Sequence, residues 1–150
     1  MHINSGDFPI FKTAISVADI DAYLATDYQV NAVERFVLNV GRPSPELARW
    51  FQTNKEDHAA FITAWNPLGK TTSDTINRIA EQKLIAEIEA RDLPYLEGES
   101  KDPSGVWPSE PSLLVFGISL ESAKELVERF CQNGFIYVGG DATPQLILLR

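Results

Sequence analysis

The chain has 150 residues, 44% of them hydrophobic and 23% charged, with a formal charge of −8. That supports one domain with a sizeable core and excludes wholesale disorder, fibrous repeats and a membrane helix of roughly 18 apolar residues. The acidic balance disfavours nucleic acid, whose phosphates need clustered Lys and Arg.

Residues 1–18 show no period and are expected to form an irregular N-terminal arm, with residues 19–150 as a single domain. Met1 to Asp7 carry no leader-like pattern, and Cys131 is the single cysteine, so the expectation is a reducing, cytoplasmic setting. Asp19 to Leu24 read as a short helix with Asp19 as N-cap. Tyr28 to Val40 read as one strand, with Phe36, Leu38 and Val40 on one side. Ser44-Pro45-Glu46 is a helix start, followed by Leu47, Trp50 and Phe51 at i, i+3 and i+4. Ala59 to Trp65 is a buried strand stopped by Asn66-Pro67.

From Thr72 to Arg91 the period is helical, with Ile76, Ile79, Ala80, Leu84 and Ile88 as the apolar stripe. Tyr95 to Glu97 read as a short strand, and Glu97 to Pro111 as an acidic loop. Leu113 to Phe116 form a second buried strand. Ser119 caps a helix whose stripe is Ala123, Leu126, Val127, Phe130 and Cys131, which makes Cys131 a core thiol. Phe135 to Val138 and Leu146 to Leu149 close the chain as a hairpin. The expected architecture is α+β: a mostly antiparallel sheet with helices packed on one face. Its centre would be a ferredoxin-like βαββαβ core, with an N-terminal strand and helix added.

The segments Ile62-Thr63-Ala64-Trp65-Asn66-Pro67, Ser73 with Asn77, Trp107 to Ile118, and Arg129 to Asn133 form a specific set. Together they resemble a bacterial family of uncharacterised proteins, domain of unknown function 3293, over roughly residues 20–149. In that family a glycine is expected where Cys131 stands. The resemblance implies a small bacterial-type domain and supplies no activity, substrate or cofactor.

Chemistry is therefore sought in the residues. Pro67 biases Asn66 to an extended conformation. Ser73 and Asn77 share one helix face, with Glu81 a turn further. Glu110 stands between Trp107 and Ser112, just ahead of the second buried strand. If the two buried strands are neighbours with coincident ends, Asn66, Asn77, Glu110 and Ser112 converge. Two amides, a carboxylate and a hydroxyl would then read a small polar ligand against Trp65 or Trp107. The plainer alternative makes Asn66-Pro67 a turn signal, Ser73 a cap, and Glu110 an acceptor for loop N–H groups.

Between Glu81 and Glu110 eight acidic residues face three basic ones. Within that stretch, Glu97, Glu99 and Asp102 are a candidate docking face for a basic protein partner. No metal-ligand set, nucleotide loop or cofactor motif is present: Gly69-Lys70-Thr71 lacks the first glycine of a phosphate loop, since Ala64 stands there. Lys70, Arg78 and Arg42 remain candidates for touching an anion. A Ser–His–Asp triad would need His58, which has no paired nucleophile in sequence reach. The leading expectation is a domain that binds a protein partner or a small polar ligand. The alternatives are an acidic regulator or inhibitor, and an enzyme on a small polar or anionic substrate. That enzyme would use Glu110 as acid or base and Asn66 with Asn77 as orienting donors. Oligomeric state is left open.

Overall fold

The four α-helices among the described residues each begin on a serine. The computed structural model describes residues 2–3 and 13–150. The helices are α1 (Val17–Ala25), α2 (Pro45–Asn54), α3 (Asp74–Ala90) and α4 (Leu120–Arg129). Ser16, Ser44, Ser73 and Ser119 each accept, at 3.1–3.2 Å, the N–H three residues on. Each cap satisfies a donor that the first turn cannot pair internally. Ser16, and not Asp19, therefore starts α1. Most of the expected N-terminal arm, residues 1 and 4–12, lies outside the described residues.

The strands are β1 (His2–Ile3), β2 (Asp27–Val30), β3 (Phe36–Leu38), β4 (Ala59–Ile62), β5 (Tyr95–Lys101), β6 (Glu110–Phe116), β7 (Gly134–Val138) and β8 (Pro144–Leu148). They form one sheet in the order β1-β8-β7-β4-β6-β5-β2-β3, and every neighbouring pair is antiparallel. The α+β class and the antiparallel sheet agree with the sequence reading, and no helix among the described residues is long and apolar enough to cross a membrane.

Three details differ. The stretch from Tyr28 to Val40 is a hairpin, β2 with β3, and not one strand. β5 runs on to Lys101, so Glu97 and Glu99 lie on a strand and not on a loop. Gly98 permits this run, because a Cβ there would sit 2.3 Å from the Gln29 carbonyl oxygen across the β2–β5 pairing.

The third difference is the placement of helices, which cover both faces of the sheet. Strand alternation sends Ala60 and Ile62 to one side of β4, and Ala59 and Phe61 to the other. The first side packs with Leu84 and Ile88 of α3 and with Ala123, Leu126 and Val127 of α4. The second packs with Ile20 of α1 and with Leu47 and Phe51 of α2. The chain thus encloses two apolar clusters, and the added N-terminal helices build the second.

Three residues assigned to apolar stripes also move outward. Asn77, not Ile76, takes the inward position on the first turns of α3, leaving Ile76 56% and Ile79 52% exposed. Cys131 is exposed and not a core thiol. α4 ends at Arg129, and Cys131 follows in the left-handed region with φ 55°. This is the helix-end position that glycine occupies without a Cβ penalty. Cys131→Gly is expected to raise stability by about 0.5–1 kcal/mol, after allowing for glycine's larger chain entropy. Urea unfolding of the two proteins measures it.

Candidate functional site

Antiparallel pairing of β4 with β6 sets Ile62 opposite Leu113, so the end of β4 meets the start of β6. Asn66 and Glu110 lie just beyond that pair and meet. Asn66 Nδ2 donates to Glu110 Oε2 at 2.7 Å. The amide is oriented by donors that cannot be exchanged: the Thr72 N–H donates to Asn66 Oδ1 at 3.1 Å, which turns Nδ2 toward the carboxylate. Asn77 locks the same residue from behind. Its Oδ1 accepts the Asn66 N–H at 2.9 Å, and its Nδ2 donates to Asn66 Oδ1 at 2.9 Å.

This clasp holds Asn66 in a conformation opposite to the one its proline neighbour favours. Asn66 has φ 49° and ψ 67°, left-handed and not extended. Leu68, two residues on, has φ 58°. Such conformations are costly and persist where several contacts over-determine them. Here the contacts are the Asn77 pair, the Thr72 bond, and a 2.7 Å bond from the Leu68 N–H to the Cys131 carbonyl.

In front of the clasp lies a cavity of about 280 Å³. Asn66, Glu110 and Ser112 line it, with Trp65, Trp107 and Pro108. α1 supplies the facing wall through Asp19, Ala22 and Tyr23. Deeper lining comes from Tyr28, Phe61 and Ser100, with Asn133 and Leu146 at the far side. Tyr28 on β2 and Leu146 on β8 are five strand positions apart, about 24 Å in a flat sheet. Their shared cavity requires the sheet to curl around it.

Burial raises the Glu110 carboxyl above its ordinary range, and the Asn66 bond opposes the shift only in part. Burial also pushes up the Tyr23 hydroxyl, with the Asp19 and Glu110 charges adding to it, while the bond from Asn133 lowers it. Asn133 Nδ2 donates to Tyr23 Oη at 3.1 Å. The Tyr28 hydroxyl, raised by burial, donates to the Tyr23 carbonyl at 2.6 Å. No Lys or Arg lines the cavity among the described residues. Arg78 lies over the Trp65 ring, 5.8 Å from its centroid, and does not line it.

Of the sequence candidates, Asn66, Trp107, Glu110 and Ser112 come together at the cavity. Ser112 Oγ donates to the Glu110 carbonyl at 3.0 Å. Asn77, 1% exposed, stands behind Asn66 and acts as a positioning residue. Ser73 caps α3 and does not line the cavity. Asp102 is occupied within its own loop: it accepts from the Ser104, Val106 and Trp107 N–H groups and from the Ser104 hydroxyl. These bonds, the Ser104 hydroxyl foremost, hold its carboxyl below the usual range, and the loop they fix carries Trp107. Glu99 pairs with Lys101 at 3.3 Å, and Glu97 is exposed.

Tyr23, Ser100 and Asn133 escaped the sequence reading. Tyr23 stands four residues after Asp19, a one-face spacing on α1 that was available but pointed nowhere without the tertiary fold. Asn133 lies beside Gln132, whose Nε2 donates to the Trp65 carbonyl at 3.1 Å and anchors that turn.

Two outcomes follow. Asn77→Ala leaves the Asn66 N–H buried without its acceptor and should cost about 2 kcal/mol in urea unfolding. The raised Glu110 carboxyl means that the folded chain binds a proton that the unfolded chain releases. Stability is therefore expected to fall as pH rises from the ordinary glutamate range through the raised value, and to be level above it. Thermal unfolding across pH should show this slope in the wild type and its loss in Glu110→Gln.

No curated protein and no solved structure matches the chain. One family model does, across the stretch that carries Asn66, Asn77, Trp107, Glu110 and Asn133. Over residues 62–134 the chain resembles the family described as Protein of unknown function (DUF3293).

Proposed function

We propose that this protein binds a small polar ligand, neutral or cationic, in the cavity in front of Glu110. The carrying observation is the state of that carboxyl. One oxygen accepts from the neutral Asn66 amide, and the other has no partner among the described residues. A buried carboxylate of purely structural use is normally met by a cation or by several N–H groups. Glu110 instead faces open volume, next to aromatic walls, with a perturbed proton affinity, a combination typical of ligand sites. The lack of Lys or Arg among the described lining residues weighs against an anionic ligand.

A second reading is favoured by the raised carboxyl itself. A carboxylic acid that keeps its proton nearer neutrality suits general acid–base work. In that reading Glu110 moves the proton, Asn66 orients it, and Tyr23 supplies a hydroxyl from the opposite wall. Asn77 is then a support for Asn66 and not a donor to substrate.

We also read the four central strands as the ferredoxin-like unit expected from sequence. The order β7-β4-β6-β5 supports it, with α3 joining β4 to β5, α4 joining β6 to β7, and both helices on one face.

The test is a binding screen of mixed small fragments (amines, alcohols, amides and carboxylic acids) followed by amide chemical shifts. Fragments are expected to shift Glu110, Ser112 and Tyr23, and to raise the melting temperature by mass action. Ala22→Phe, which fills the cavity from α1, should abolish both effects. If no fragment shifts those residues, or if fragments bind Ala22→Phe equally well, the proposal fails.

A further inference from the structure

We infer that the ligand is a small primary amine bound as its ammonium ion, its N–H groups taken by Glu110, Ser100 and Tyr23. This rests on the reading of the cavity as a ligand site and names the class of molecule that fits it.

The argument begins with strand register. Ser100 on β5 pairs with Glu110 on β6 and, on its other side, with Tyr28 on β2. Directly paired residues point to the same face with Cβ atoms about 4.5–5.5 Å apart. Glu110, Ser100 and Tyr28 thus form a row across three strands, and all three line the cavity.

Ser100 is 8% exposed, and its hydroxyl makes no side-chain hydrogen bond among the described residues. Other hydroxyls around it are engaged. Thr26 donates to the Ala22 carbonyl, Thr63 to the Pro111 carbonyl, and Tyr28 to the Tyr23 carbonyl. A buried hydroxyl left alone beside a carboxylate oxygen left alone marks a place where a partner is missing from the chain itself.

The free groups choose the partner's chemistry. Glu110 Oε1 only accepts when ionised, and Asp19 adds a second carboxylate to the lining. Ser100 Oγ and Tyr23 Oη accept as well. An anion would stand beside two carboxylates with no Lys or Arg among the described lining residues to offset them. A hard metal ion would want six or more oxygen ligands, and no group of metal-holding side chains occurs among the described residues. A quaternary ammonium has no N–H to offer the three acceptors. A primary ammonium has three donors and one positive charge, and the Tyr23, Trp107 and Phe61 rings favour a cation near their faces.

Size limits the rest of the molecule. A cavity of about 150 Å³ takes benzene, so 280 Å³ admits an amine with a compact apolar body, such as a ring on a short chain.

Isothermal titration with three isosteric probes decides it: 2-phenylethylamine, 2-phenylethanol and phenylacetate. The amine is expected to bind about tenfold more tightly than the alcohol, the gain of one charge-assisted hydrogen bond, and phenylacetate should not bind. Glu110→Gln should weaken the amine about tenfold and leave the alcohol unchanged, with thermal unfolding confirming its fold. Ser100→Ala, which removes one acceptor and no charge, should weaken the amine several-fold and serves if Glu110→Gln does not fold. An alcohol or carboxylate that matches the amine, or a Glu110→Gln protein that keeps the amine, overturns the inference. If the amine fails while other fragments still shift the cavity residues, the inference falls and the ligand site stands. If no fragment reaches the cavity, both fall.

Discussion

The reciprocal pair between Asn66 and Asn77 is the constraint from which the rest of this end of the molecule is built. Two hydrogen bonds of 2.9 Å join a turn at the end of β4 to the first turns of α3. They hold Asn66 left-handed ahead of a proline, where its own preference is extended. The turn is gripped elsewhere too, by the Cys131 carbonyl on Leu68 and by Glu110 on the Asn66 amide. Three separate pieces of chain therefore converge on Asn66 and Leu68, and local strain of about 1–3 kcal/mol per residue is tolerable only under such convergence. Its product is a single well-placed amide nitrogen pointing at a carboxyl.

The carboxyl in turn depends on how the sheet bends. The same curl that brings Tyr28 and Leu146 to one cavity gives α1 a concave face to lie against, and α1 returns Asp19 and Tyr23 to the opening. The second apolar cluster, which α1 and α2 complete, is thus more than added stability. It forms the back of the cavity through Tyr28 and Phe61, whose rings meet edge to face at 5.3 Å. Gly98 is part of the same arrangement: the close approach of β2 that it allows carries the Glu110–Ser100–Tyr28 row across to the wall beside α1.

Local signals in the sequence were legible where local physics decides. The serine caps of α2, α3 and α4, the apolar face of α4 and the buried strands around Phe61 and Leu114 all rest on periodicity or on a first-turn donor. The convergence of Asn66 with Glu110 was legible as well, because two buried antiparallel strands bring opposite ends together. The failures share a cause. Pro67 argues for an extended Asn66, and a tertiary bond from Asn77 overrides it. The period of α3 nominates Ile76 and Ile79, but the need for Asn77 at the turn rotates them outward. Cys131 continues the α4 stripe on paper, although the helix has ended two residues before it, at Arg129. Tyr23 and Asn133 meet across 110 positions of chain, a separation that no spacing rule spans.

The two sides of the cavity have different origins in the chain. Asn66, Asn77, Glu110 and Asn133 fall within the 62–134 stretch that resembles the family, whereas Asp19, Ala22 and Tyr23 come from α1, outside it. The clasp that presents the carboxyl is held by bonds internal to that stretch, so its geometry does not depend on which side chains α1 turns inward. Among the described residues α1 makes no hydrogen bond to the carboxyl; it shapes the opening and brings the Asp19 carboxylate to the lining. A change at Asp19, Ala22 or Tyr23 therefore alters the size and charge of the cavity while Glu110 stays where Asn66 puts it. The clasp and the wall in front of it are physically separable parts of one cavity.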